Sequence, residues 1–283
     1  MLFRSVSQSR YLMFGLDRPF ELKGDWAVTA DWHVPLYDAK LVNEFLDEAS
    51  DYNNLLIAGD FLNGDSLSQY YPKQKSAGIE KELSEAQNLM ETLCANFKNI
   101  VFLKGNHDYR YTKSAEYRES FVDSMTQVFA DVPRHGCKLR FSNLDHCYIT
   151  SNKERYFIAH PDSYSKSPLN NPLAISTVKK CHVLTAHTHH CAMGWGPSGE
   201  FIVGELGGFF NISQTEYLQG TTTYPNWCNG YWFITGGKPY MISYGARSLR
   251  WLLVRLRSVM FLLLIRIIVL WVGILVASSS LVS

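Results

Sequence analysis

Five short apolar runs in this chain each break off on a polar side chain. Trp26 to Ala30 leads into Asp31-Trp32-His33, Asn54 to Ala58 into Gly59-Asp60, and Ile100 to Leu103 into Gly105-Asn106-His107-Asp108. Tyr156 to Ala159 then ends on His160, and His182 to Thr185 runs into Ala186-His187-Thr188-His189-His190. Runs of this length bounded by glycine or polar residues read as buried strands. Carboxylates, amides and imidazoles set at the ends of such strands carry a desolvation cost that chemistry has to justify. Between the runs lie segments with helical spacing: Asp38 to Tyr52 with Leu41, Phe45, Leu46 and Ala49 on one face, Ile79 to Phe97, Ala115 to Ala130, and Pro172 to Lys180. Strand and helix therefore alternate in the first half, which predicts an α/β fold. From Lys138 onward shorter strands follow, and Tyr231 to Thr235 and Tyr240 to Tyr244 form a hairpin around Gly236-Gly237.

Ligands of open α/β sheets collect at the carboxyl ends of strands, so the five polar termini are expected on one rim. The donors there are Asp31, His33, Asp60, Asn106, His160, His187 and His189. Oxygen and imidazole donors without a thiolate suit Mn, Fe, Zn or Ni and argue against a structural cysteine-zinc site. Seven groups exceed the needs of one ion. Two ions roughly 3.5–4 Å apart that share a carboxylate use that number and form the clamp employed for displacement at phosphorus.

In this order, Asp31-x-His33, Gly59-Asp60, Gly105-Asn106-His107-Asp108, His160 and His187-x-His189 resemble the five motifs of the calcineurin-like metallophosphoesterase family. The resemblance spans Val28 to His190 and extends over the later strands to Tyr244. It implies a four-layered α-β-β-α sandwich with mixed sheets and a dinuclear site for two divalent ions, with Mn the first choice. Asp31, His33 and His189 would hold one ion, Asn106, His160 and His187 the other, and Asp60 would bridge them. A metal-bridging hydroxide would attack a phosphate mono- or diester. His107 would face the leaving group as a general acid, with Asp108 orienting the loop or the imidazole. Arg110 and His190 are the expected substrate contacts.

Two departures narrow the expectation. Ala186 stands where the last motif usually has glycine. Asn63-Gly64 replaces the Asp-Arg pair of the protein serine/threonine phosphatase branch, and Asp108 replaces Glu. Both changes around Asn63 and Asp108 point toward the phosphodiesterase, nuclease and small-molecule phosphatase branches, with nucleic acid a substrate at most. A metal amidohydrolase would place His-x-His on the first strand and Asp on the last, the reverse of the order here. A non-catalytic binding scaffold of the same fold would have lost ligands that this chain keeps.

Charge divides the chain. Of 27 Lys+Arg and 26 Asp+Glu, five arginines and no acid fall in residues 245–283, which leaves the body at −4. Such a body offers no general attraction to long nucleic acid. Three regions are expected: a leader over 1–25, a catalytic domain over 26–244, and a basic linker with a hydrophobic tail over 245–283. The tail segment Val259 to Ala277 is apolar except for Arg266 and long enough to span a bilayer. Its fourteen Leu, Ile, Phe and Val residues favour insertion by roughly 4–8 kcal/mol, against roughly 2.5–3.5 kcal/mol for Arg266. The arginines before it predict a C-terminal helix anchoring a cytoplasm-facing domain. Six cysteines without a CxxC pair fit reduced thiols in the cytoplasm. No protein partner is legible.

Overall fold

Two six-stranded sheets form the centre of the computed structural model, which describes residues 18–68, 78–114, 120–212 and 226–244. In chain order the strands are β1 (Glu21–Lys23), β2 (Trp26–Thr29), β3 (Asn54–Ile57), β4 (Asn99–Leu103), β5 (Lys138–Ser142) and β6 (His146–Ser151). They continue with β7 (Glu154–Ala159), β8 (His182–Thr185), β9 (Cys191–Trp195), β10 (Ile202–Leu206), β11 (Gly230–Thr235) and β12 (Lys238–Ser243). The helices are α1 (Ala39–Glu48), α2 (Ile79–Asn96), α3 (Tyr109–Ser114), α4 (Phe121–Val128) and α5 (Asn170–Lys179).

One sheet has the order β12-β11-β2-β3-β4-β5 and the other β1-β6-β7-β8-β10-β9. In the first, β2, β3, β4 and β5 run parallel; in the second, β7, β8 and β10 do. Each sheet also has antiparallel pairs, so both are mixed. Their inner faces share one core: Val28, Leu56 and Val101 from one side meet Ile149, Ile158 and Leu184 from the other, with Trp232 among them. Each such aliphatic side chain contributes about 1.5–3 kcal/mol on burial. The outer face of the first sheet packs its phenylalanines on helices, with Phe102 edge-on to Phe121 of α4 at 5.5 Å. On the other side α5 covers Phe157, Ala159 and Val183 through Ile175. Strands covered on both faces lose the alternation of half-buried strands, and β2 and β8 are buried at every position. The layers are thus α-β-β-α, as expected.

Local rules explain the helix boundaries. Asp38 caps α1, accepting from the backbone N–H of Lys40 at 2.9 Å and of Leu41 at 3.3 Å. Ser120 caps α4 by accepting from Asp123 N–H at 3.2 Å. The expected helix over 115–130 is therefore described only from Phe121, because residues 115–119 lie outside the described set. Along α2 the inward face carries Glu82, Ala86, Met90 and Leu93, whereas the apolar Ile79 at its start is exposed. A carboxylate takes the inner place because it accepts the Gly64 N–H at 2.6 Å.

Three short elements had no sequence signal. β1 sits inside the expected leader yet pairs with β6, so the sheet reaches back to Glu21. β9 is an edge strand whose Cys-Ala-Met-Gly-Trp run has no polar alternation, and α3 is too short for a period. Residues Met1–Ser243 form one unit and Tyr244–Ser283 another. The expected C-terminal helix lies outside the described residues, and no helix among those described is long and apolar enough to cross a membrane.

Candidate metal centre

The Asp31-Trp32-His33 turn works because its middle residue points the other way. Trp32 is fully buried, stacks on Phe209 at 4.2 Å and donates its indole N–H to Thr29 Oγ1 at 3.0 Å. Its neighbours Asp31 (φ 53°) and His33 (φ 48°) adopt left-handed backbone, as do Asp60, His187 and His189. Five of the seven expected ligands thus hold a conformation uncommon for residues with a Cβ, and such positions cluster at functional sites.

Backbone bonds sew the loops together. Trp32 and His33 donate to the Asp60 carbonyl at 2.9 and 3.1 Å. Glycine is required at two points: a Cβ on Gly59 would meet His160 Nδ1 at 2.6 Å, and one on Gly105 would overlap Asp60. Asp108 fastens three amides, accepting from Asp60 N–H at 2.7 Å, Leu62 N–H at 2.8 Å and Gly105 N–H at 3.1 Å. Asp108 touches none of the open site and is a positioning residue for the loops after β3 and β4. Burial, with the Asp60 charge adding, pushes its carboxyl well above the usual carboxylate range.

The expected ligands converge. Ligand atoms of Asp31, His33 and His189 lie within 4.8 Å of one another, and so do those of Asp60, His160 and His187. Asn106 Oδ1 joins the second group at 3.0 Å from His160 Nε2. The groups adjoin, since Asp60, His33 and His107 form a third triad within the same limit. His160 donates Nδ1–H to the Ala58 carbonyl at 2.9 Å, which turns its Nε2 toward the site. His33 Nε2 and His189 Nε2 face each other at 3.1 Å, with Asp31 Oδ1 3.4 Å from the latter.

These contacts leave groups short of partners. Asp31 Oδ1, Asp60 Oδ2 and His189 Nδ1 are buried without a hydrogen bond, and His160 Nε2 lies 3.2 Å from Asp60 Oδ2. Buried acceptors without donors, facing imidazole nitrogens, are the arrangement that divalent cations complete. The donor set therefore fits the expected metals. Charge agrees: burial opposes ionisation of Asp60, but His160, His107 and His33 outweigh it and hold its carboxyl well below the usual range. Burial and the neighbouring His107 and His189 hold His33 well below 6.5, and burial and His160 lower His187, so both are neutral near pH 7. His160 differs: Asp60 overcomes its burial and raises it to about 10, so a cation held by its Nε2 would have to displace a proton shared with Asp60.

His107 occupies the open side. Its backbone N–H donates to Asp60 Oδ1 at 2.8 Å, and its Nδ1–H donates to the Asn63 carbonyl at 2.6 Å. Its Nε2 then accepts from Arg110 Nη2 at 3.2 Å. Arg110 also donates to the Asn63 carbonyl at 3.0 Å and pairs with Asp65 at 3.4 Å. Arg110, an expected substrate contact, is thus beside the imidazole. His190 is not on the rim: it is 2% exposed, and its ring contacts Glu205 at 3.2 Å. A polar contact inside the fold outcompetes exposure there. Sequence reasoning passed over Glu205, although an acid inside the apolar run Ile202 to Leu206 was a usable signal.

A two-sheet sandwich carrying Asp, Asn and His at adjoining strand ends is a fold with a candidate metal site. The family model for calcineurin-like phosphoesterases matches residues 26–199, more than half of the chain, and the chain belongs to that family. A comparison with curated proteins found no match. Among solved structures, Vps29 from Entamoeba histolytica complexed with zinc is similar at 13% identity, covering 79% of this chain and 94% of that one, with a TM-score of 0.42. Vps29 from Cryptosporidium parvum is 14% identical, with 78% and 96% covered and a TM-score of 0.39. A conserved uncharacterized protein of Streptococcus pneumoniae, described as a predicted phosphoesterase, is 13% identical, with 78% and 97% covered and a TM-score of 0.34.

Proposed function

We propose that the chain is a metal-dependent phosphoric ester hydrolase that uses two divalent cations to cleave phosphate mono- or diesters. Asp31, His33 and His189 would hold one ion, Asn106, His160 and His187 the other, with Asp60 available to both. The observation that carries this reading is the convergence of Asp31 Oδ1 and Asp60 Oδ2, buried without donors, on the imidazole nitrogens around them. Bound divalent cations supply Lewis acidity toward a phosphoryl oxygen and toward water. An oxygen-and-imidazole set without thiolate favours Mn, with Fe, Zn and Ni as substitutes.

The chain's own groups do the rest. Arg110 supplies a guanidinium fork for a phosphoryl oxygen on the open side. With Nδ1 committed to Asn63, His107 presents only Nε2 to the site, so a proton there goes to the leaving oxygen. Burial, with Arg110 adding and Asp60 opposing, holds this imidazole below its ordinary value. An anionic phosphate that draws Arg110 away from Nε2 offsets that positive charge and frees the nitrogen to carry a proton. Asp108 keeps the His107 loop in register with Asp60 through its three amide bonds.

Purified full-length protein is expected to hold about two metal ions per chain and, loaded with Mn, to hydrolyse p-nitrophenyl phosphate or its bis-ester. Protein that takes up no metal and cleaves neither ester would overturn the reading in favour of a binding scaffold.

A further inference from the structure

We propose that Glu205 is the positioning residue that sets the His187–His190 loop for metal binding and ties it to the segment that follows His160. The inference rests on the metal-site reading and goes beyond it, because Glu205 is not among the ligands.

The sheet order creates the need. β8 and β9 lie on either side of β10, so the connection between them must cross the carboxyl end of β10. Glu205 sits under that crossing, in register with Thr185 on β8 and Ala192 on β9. Its carboxylate has no exposed surface, and both oxygens are used. Oε1 accepts from Thr188 Oγ1 at 2.8 Å; Oε2 lies 3.2 Å from His190 Nδ1 and accepts from Leu169 N–H at 2.8 Å. The anchor is itself fixed, since Trp232 of the opposite sheet donates its indole N–H to the Glu205 carbonyl at 3.2 Å.

The loop therefore has two faces. His187 and His189 turn toward the metal groups, and Thr188 and His190 turn back onto Glu205. Left-handed backbone at His187 and His189 maintains this alternation at a conformational cost, which requires the surrounding structure to hold it. Leu169 ends the segment that begins at His160, so one buried carboxylate holds the approach to three of the expected ligands. Groups behind metal ligands that fix their orientation tune affinity in this way.

Glu205→Gln keeps an acceptor for Thr188 and removes one of the two oxygens. Chelator competition with Mn or Zn on the full chain should show roughly 10- to 100-fold weaker binding for Glu205→Gln, and weaker still for Glu205→Ala. Ser151→Ala, which removes the hydroxyl's bonds to Asp25 and from Gly237 N–H at the opposite end of β7 from His160, serves as a control for general destabilisation. Amide hydrogen exchange in metal-free protein should rise at residues 187–190 and 169 in Glu205→Gln, while Ser151→Ala leaves those amides unchanged. Wild-type affinity and unchanged exchange in Glu205→Gln would overturn the proposal, as would equal loss of affinity in Ser151→Ala. If wild-type protein binds no metal, the metal reading fails, and the exchange experiment still decides whether Glu205 sets the loop.

Discussion

Asp25 and Asp60 lie at opposite ends of the same sheet, before β2 and after β3, and their surroundings differ in one respect. Asp25 has every oxygen answered: Oδ1 accepts from Ser151 Oγ at 2.7 Å and Gly236 N–H at 3.1 Å, and Oδ2 accepts from Thr235 Oγ1 at 2.7 Å. Those donors outweigh its slight burial and hold its carboxyl below the ordinary value. Asp60 accepts one backbone N–H on Oδ1 and leaves Oδ2 buried without a hydrogen bond, facing imidazoles. A carboxylate whose lone pairs are filled by N–H and O–H groups closes a turn. One whose lone pairs are buried and open among ring nitrogens is set up for a cation.

The largest effect expected from this contrast is at Asp60. Asp60→Asn should lower kcat/KM for aryl phosphate esters by ~10³-fold or more, equivalent to ~4 kcal/mol of barrier, in protein that circular dichroism shows to be folded. Near-wild-type activity would erase the distinction between the two aspartates. Glu82 provides an intermediate case, bonded to Gly64 N–H yet buried enough that its carboxyl rises from 4.5 to about 7. A raised acid keeps its proton in the folded chain after the unfolded chain has released it. Stability should therefore fall as pH rises from 4.5 through about 7, by roughly 2–3 kcal/mol at most. Urea unfolding at several pH values should show that slope in the wild type and a flatter one in Glu82→Gln; identical slopes would remove Glu82 from the comparison. Asp25→Ala should do least, costing about 1–2 kcal/mol of stability with the Mn-dependent rate unchanged. A matching fall in rate would mean that the far turn is coupled to the site.

The strands that carry ligands were legible because each is buried on both faces, so its apolar run stands out and its polar terminus interrupts it. Asp38 was legible as a cap for the same local reason, since a short acceptor before a helix serves the free N–H groups of the first turn. β1 and β9 were not, because short edge strands bury little and leave no pattern. Glu82 faces inward on α2 despite its charge because its carboxylate accepts the Gly64 N–H from 18 residues away in sequence, a partner that helical period does not reveal.

His190 shows where reading by proximity fails. It follows two expected ligands directly, yet the left-handed backbone at His189 and the carboxylate of Glu205 turn it into the protein. The sequence by itself determined the family and the α/β class and singled out seven candidate donors, because strand burial and donor type are written in neighbouring residues. Which of those donors share a group, which oxygens stay open, and which residue holds the loop from behind were decided only by the tertiary structure. Those properties depend on two sheets meeting face to face and on bonds such as Glu205 to Thr188 and Asp108 to Asp60, between residues that only the packed sandwich brings together.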